Sequence, residues 1–137
     1  MSNRIDDLVP EVATLCRAHL AACAREGILL RVTHTLRTYT EQDALFAQGR
    51  TAPGARVTAA PGGWSWHNFG RAYDVCQASA DPYPADEAFW DKVGNLGESS
   101  GLEWGGRWKH PDRPHFQDTS GMTLAVARSQ RERELLA

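Results

Sequence analysis

His67 and Asp74 stand seven residues apart in the run Ser65-Trp66-His67-Asn68-Phe69-Gly70-Arg71-Ala72-Tyr73-Asp74. An imidazole at the end of a loop and a carboxylate on the strand after it can face one point, which is the beginning of a metal site. A catalytic zinc takes three nitrogen or oxygen ligands from the protein and keeps one position open, so a third ligand must come from elsewhere. The run Asp112-Arg113-Pro114-His115-Phe116-Gln117 offers it: His115 opens a short strand, and Pro114 restricts the backbone just before it. The carboxylate of Asp112 can stand beside the metal without ligating it, which suits a base that takes a proton from water and later delivers it to a leaving amine. A lone His/Asp pair is weak in a chain with five histidines. His19, His34 and His110 lack comparable neighbours and read as solvent-facing or hydrogen-bonded structural residues. Cys76, on the same strand face as Asp74, reads as a small buried residue rather than a ligand.

The elements that must position these groups follow from the patterning. Ile5, Leu8, Val12, Leu15, Cys16 and Cys23 recur at helical spacing, with Pro10 tolerable in a first turn, and predict a helix ending near Gly27. Residues 28–33 are rich in strand formers and short enough for a buried strand. Thr40, with Asp43 three residues on, predicts the start of a second helix that Gly49 closes. Residues 50–64 are too punctuated by Gly and Pro for a helix and predict a long loop, a kind of segment that is often functional. Residues 71–76 predict a strand with Ala72, Asp74 and Cys76 on one face and Tyr73 and Val75 on the other. A third helix is expected from Asp86 to about Leu96, weakened at its end by Gly94 and Gly97. Short strands at 102–104 and 115–117 flank a Gly-Gly turn, and Ser120 precedes a final helix to Leu136. This order predicts a small α+β domain with a short antiparallel sheet flanked by helices.

Length and charge narrow the partners. A chain of 137 residues fits one domain. Its 15 Lys+Arg against 17 Asp+Glu, a formal −2, supply no broad basic surface, so no nucleic-acid partner is expected. No apolar run approaches the ~18 residues of a membrane span, and the acidic start of the chain is unlike a secretory signal. The expectation is a protein made in the cytoplasm without stable membrane insertion. Cys16, Cys23 and Cys76 form an odd set with no C-x-x-C pair, so free thiols are expected.

Taken together, four blocks resemble the zinc peptidases that include D-alanyl-D-alanine carboxypeptidases, vancomycin-resistance dipeptidases and the L-alanyl-D-glutamate endopeptidases of bacteriophage endolysins. They are Leu36-Arg37-Thr38 with Glu41-Gln42 and Gly49-Arg50; Ser65-x-His67-x-x-Gly70-x-Ala72-x-Asp74; Glu103-Trp104-Gly105-Gly106 with Trp108; and Asp112-x-Pro114-His115-Phe116-Gln117. The resemblance implies a hedgehog/D-Ala-D-Ala peptidase-like fold, one zinc per chain on His67, Asp74 and His115, and Asp112 as acid/base. It makes Arg37 a substrate-contacting and catalytic arginine, since a guanidinium near zinc can grip a carboxylate or stabilise an oxyanion. Ser65 and Trp104 are carried over as substrate-binding candidates, with Trp104 and Trp108 as a possible cleft wall.

The third and fourth blocks look most like the endolysin type. The reading is therefore a peptidoglycan endopeptidase cutting the stem peptide between L-alanine and D-glutamate, acting as a monomer over 1–137 with no separate cell-wall-binding domain. It would reach the wall from the cytoplasm through a membrane pore made by another protein. Arg107 departs from the small acidic or amide residue expected in that branch, a reversed charge next to the expected substrate contacts. The alternatives are a D,D-carboxypeptidase or dipeptidase releasing terminal D-alanine, and a zinc-stabilised wall-binding module without turnover.

Overall fold

Pro10 opens the first long helix, α1 (Pro10–Arg25), because its missing N–H and fixed φ suit the first helical position. In the computed structural model, which describes all residues from Met1 to Ala137, the apolar pattern starting at Ile5 therefore divides in two. A 3-10 turn at Ile5–Asp7 comes first, then α1. The remaining elements are β1 (Leu30–His34), α2 (Tyr39–Ala47), β2 (Ala72–Gln77), α3 (Glu87–Ser99), β3 (Glu103–Trp104), β4 (His115–Gln117) and α4 (Leu124–Leu136), with further 3-10 turns at Trp66–Phe69 and Gly105–Arg107. The α+β class holds: four helices surround one antiparallel sheet of order β1-β2-β4-β3.

Several boundaries differ from expectation for local reasons. α2 is capped by Thr38, not Thr40: Thr38 Oγ1 accepts from the Glu41 N–H at 3.1 Å, and Glu41 Oε1 accepts from the Thr38 N–H at 2.9 Å, a reciprocal capping box. α4 begins after Thr123 rather than Ser120, whose φ of 53° belongs to the preceding turn. α3 runs through both of its glycines to Ser99. A Cβ on Gly94 would lie 2.2 Å from the Trp104 ring, and one on Gly97 2.4 Å from the Phe116 ring, so these positions are where the sheet's aromatics press against the helix.

One face of the sheet, carrying Val32, Tyr73, Val75 and Phe116, meets α1 and α3 in the core with Val12, Cys16, Cys23, Trp90 and Val93. Buried among them is a polar bridge through His19. His19 Nε2–H donates to the Val93 carbonyl at 2.9 Å, so its Nδ1 must accept the Tyr73 hydroxyl at 2.7 Å. His19 is thus a hydrogen-bonded structural residue, held neutral because burial lowers its pKa against the opposing Val93 bond. The other face of β2 and β4 carries Asp74, His115 and Gln117.

Candidate metal centre

Asp74 and His115 are direct Cα partners in the β2–β4 ladder, so strand pairing alone sets two of the expected ligands side by side. His67 comes to them on the Trp66–Phe69 turn. Ser65 caps that turn by accepting from the His67 N–H at 3.3 Å, and the side chain of Asn68 accepts from the Ser65 N–H at 3.2 Å. Gly70 closes it at φ 66°, in the left-handed region that glycine adopts without strain. Asn68 also donates to the Arg37 carbonyl at 3.0 Å, tying the ligand turn to the segment between β1 and α2.

Each imidazole is oriented by its second nitrogen. His67 Nδ1–H donates to the Thr35 carbonyl at 2.8 Å, which leaves Nε2 free, 3.2 Å from Asp74 Oδ2. His115 Nε2 contacts Gln117 Oε1 at 2.7 Å, which turns Nδ1 toward Asp74 Oδ1 at 3.2 Å. The three donor atoms lie within 4.8 Å of one another. Ligand bonds of roughly 2.0–2.1 Å in a tetrahedron require donor separations of about 3.3 Å, so the nitrogen, oxygen and nitrogen set fits zinc in spacing and in chemistry.

Charge at this centre is strongly biased. Burial alone would raise the Asp74 pKa, but contacts from His115, His34 and His67 outweigh it and hold the carboxyl well below the usual range. Burial likewise works to lower His115, and Asp74, with help from Gln117 and Asp112, reverses that and raises it. Asp112 is half-exposed, with Oδ2 3.9 Å from His115 Nδ1, outside the ligand set and beside it. Desolvation raises its pKa, reinforced by Asp74 and opposed by His115, His67 and Arg37. The approach of its loop depends on Gly105, where a Cβ would meet the Asp112 carbonyl at 2.5 Å.

The centre lies in a cleft of about 520 Å³ whose lining includes Arg37, Ser65, Trp66, Trp108 and Asp112. Arg37 reaches it from the segment between β1 and α2, and desolvation lowers its pKa against the pull of Asp74, Glu41 and Asp112. Ser65 both lines the cleft and caps the His67 turn. Trp104 does not line it: the indole is 3% exposed, is packed against α3, and donates from Nε1 to the Arg113 carbonyl at 2.8 Å. The cleft wall is Trp108, 36% exposed, with its ring 5.0 Å from that of His115. Arg107 points away, pairing with Glu98 at 2.9 Å and Asn95 at 2.7 Å on α3, so its charge does not enter the cleft. Cys76 is fully buried, outside the cleft, and His110 is exposed.

His34 is the residue that sequence reasoning missed. A bulge between Val32 and His34 shifts the β1 register so that His34, not Thr33, faces Asp74, with Nδ1 3.6 Å from Oδ2. No period-two pattern announces such a shift. Gln42 and Gln117, both buried, carry no chemical signal of their own in the sequence, although each orients a site residue.

Residues 58–118, which hold His67, Asp74, Asp112 and His115, match the family described as D-alanyl-D-alanine carboxypeptidase. The chain is 38% identical over 122 residues to the peptidoglycan L-alanyl-D-glutamate endopeptidase CwlK of Bacillus subtilis (strain 168), covering 81% of this chain and 73% of that one. Among solved structures, the L-Ala D-Glu endopeptidase ChiX of Serratia marcescens superimposes with a TM-score of 0.61 at 22% identity, covering 84% of this chain and 83% of ChiX. The vancomycin-resistance D,D-pentapeptidase VanY, solved in complex with Zn(II), does so at 0.62 and 13% identity, covering 91% and 78%. These two share the fold. By its identity to CwlK across most of both sequences, the chain belongs to the M15 family of metallopeptidases, the D-alanyl-D-alanine carboxypeptidase family.

Proposed function

We propose that this chain is a zinc-dependent peptidoglycan endopeptidase that hydrolyses the bond between L-alanine and D-glutamate in the stem peptide. The observation that carries the reading is the convergence of His67 Nε2, Asp74 and His115 Nδ1 on one point, with the Asp112 carboxylate beside it. The choice of bond is supported by the names of CwlK and ChiX and by the resemblance of the 103–108 and 112–117 blocks to endolysins.

A zinc ion held by His67, Asp74 and His115 would polarise the scissile carbonyl and make a water molecule acidic enough to attack near neutral pH. Asp112 would accept the proton of the attacking water on its carboxylate and deliver it to the nitrogen of the departing D-glutamate. Arg37 would donate hydrogen bonds to the oxygen that gains charge as the carbonyl becomes tetrahedral, or hold a substrate carboxylate. Trp108 and Trp66 would flank the peptide and limit access of bulk water. One zinc per chain, a monomeric enzyme, and lysis of the wall from the cytoplasm during phage release belong to the same proposal.

Digestion of purified peptidoglycan with and without chelator, followed by mass analysis, tests it. New peptides beginning with D-glutamate, lost with chelator, are expected. Released free D-alanine would replace this reading with a D,D-carboxypeptidase, the activity after which the matched family is described. No product under zinc-replete conditions would favour a binding module.

A further inference from the structure

The geometry points to Glu103 as a positioning residue that, through the Gln117 amide, fixes which nitrogen of His115 is available to the metal. This rests on the ligand reading proposed above and extends it to a residue on the outer strand of the sheet.

Glu103 and Gln117 are direct partners in the β3–β4 ladder. The Gln117 amide, 5% exposed, lies between two groups: its Nε2 donates to Glu103 Oε2 at 3.1 Å, and its Oε1 sits 2.7 Å from His115 Nε2. A carboxylate can only accept, whereas an amide has one donor end and one acceptor end. With Glu103 in place the amide must therefore turn its NH₂ outward and its oxygen toward His115. That oxygen requires a proton on His115 Nε2, so when the ring is neutral its lone pair is on Nδ1, facing Asp74 and the ligand position. The same Glu103 oxygen accepts from Trp108 Nε1 at 3.0 Å, so one carboxylate also holds the aromatic wall whose ring lies 5.0 Å from His115.

Without Glu103 nothing on that side selects the amide orientation. A flipped Gln117 would present NH₂ to His115 Nε2, favour the proton on Nδ1, and oppose ligation there. Partners one step removed from a metal commonly change its affinity about 10- to 100-fold.

The test is zinc affinity, measured by competition with a chromophoric chelator. Glu103→Leu is expected to weaken zinc binding at least about tenfold. Glu103→Gln, whose amide oxygen can still accept from both donors, should stay within about threefold of wild type. Adding Gln117→Glu to the Glu103→Leu chain should restore affinity, because a carboxylate at 117 can only accept from His115. Zinc affinity unchanged in Glu103→Leu, even with a lowered melting temperature, would overturn the proposal, as would equal losses in Glu103→Leu and Glu103→Gln. Should Glu103→Leu not fold, long-range ¹H–¹⁵N spectra of the zinc-free wild type, taken where the His115 ring is neutral, decide: a proton on His115 Nε2 is required, and one on Nδ1 overturns it. Failure of the wild type to bind zinc at all would instead sink the proposed function.

Discussion

Gln42 is fully buried beneath Arg37, and its Oε1 accepts from Arg37 Nη1 at 3.0 Å while its Nε2 donates to the Ala60 carbonyl at 2.7 Å. One amide thus anchors both the arginine of the cleft and the long loop that walls it. Gln42→Leu leaves the Ala60 carbonyl and an Arg37 donor without partners, a cost of about 1–3 kcal/mol in urea unfolding. A misplaced guanidinium should also lower kcat/KM on the order of 10- to 100-fold. Kinetics matching wild type would show that Arg37 does not depend on this bond.

In the proposed mechanism Asp112 carries protons and does not hold the metal. In Asp112→Asn, zinc content by atomic absorption should match wild type while kcat falls about 10²- to 10⁴-fold. Loss of zinc together with activity would make Asp112 a ligand.

Removing a ligand has the opposite pattern. His67→Ala is expected to lose zinc and activity together. In the wild type, chelation should lower the melting temperature, because an ion bound only by the folded chain stabilises it by about 4 kcal/mol at a thousand times its Kd. A melting curve indifferent to chelator would contradict a structural coupling of metal and fold.

Gly94 is where α3 meets Trp104. Alanine would ordinarily favour a helix by roughly 1 kcal/mol, but here its Cβ would lie 2.2 Å from the indole. The overpacking cost of about 1–3 kcal/mol or more should prevail, so Gly94→Ala is expected to melt below wild type. A raised melting temperature would mean that the helix and the indole part easily.

The buried thiols predict an alkaline limit. Cys16 is pushed up to about 12 and Cys23 to about 11, chiefly by burial, from an ordinary value of 9.0. Above pH 9 the unfolded chain loses these protons and the folded chain keeps them, so stability is fully present below pH 9. It declines as pH rises toward 11 and then 12, by about 1.4 kcal/mol per pH unit for each thiol. Urea midpoints measured from pH 8 to 10.5 should fall, and less steeply in Cys16→Ala. A flat profile would mean that the unfolded state protects the thiols equally.

Much of the site was legible in the residues because metal ligation demands particular atoms. His67, Asp74 and His115 could be named from side-chain chemistry and motif resemblance, and the strand at 71–76 followed from alternation. The α+β class followed as well, since it needs only the order of helical and strand-like segments. What patterning could not supply was the identity of partners distant along the chain. Gly94 and Gly97 look like helix breakers until the rings of Trp104 and Phe116 are set against them. Trp104 and Trp108 look alike until one is packed under α3 and the other left at the cleft.

By itself, then, the order of residues determined the family and the class of fold and named the three side chains that the proposed metal site uses, because these depend on local chemistry and local periodicity. Only the tertiary structure decided that a bulge turns His34 toward Asp74, that Gln42 steadies Arg37, and that Glu103 and Gln117 stand opposite each other behind His115. Register and burial arise from all the segments packing at once, so no single stretch of chain contains them.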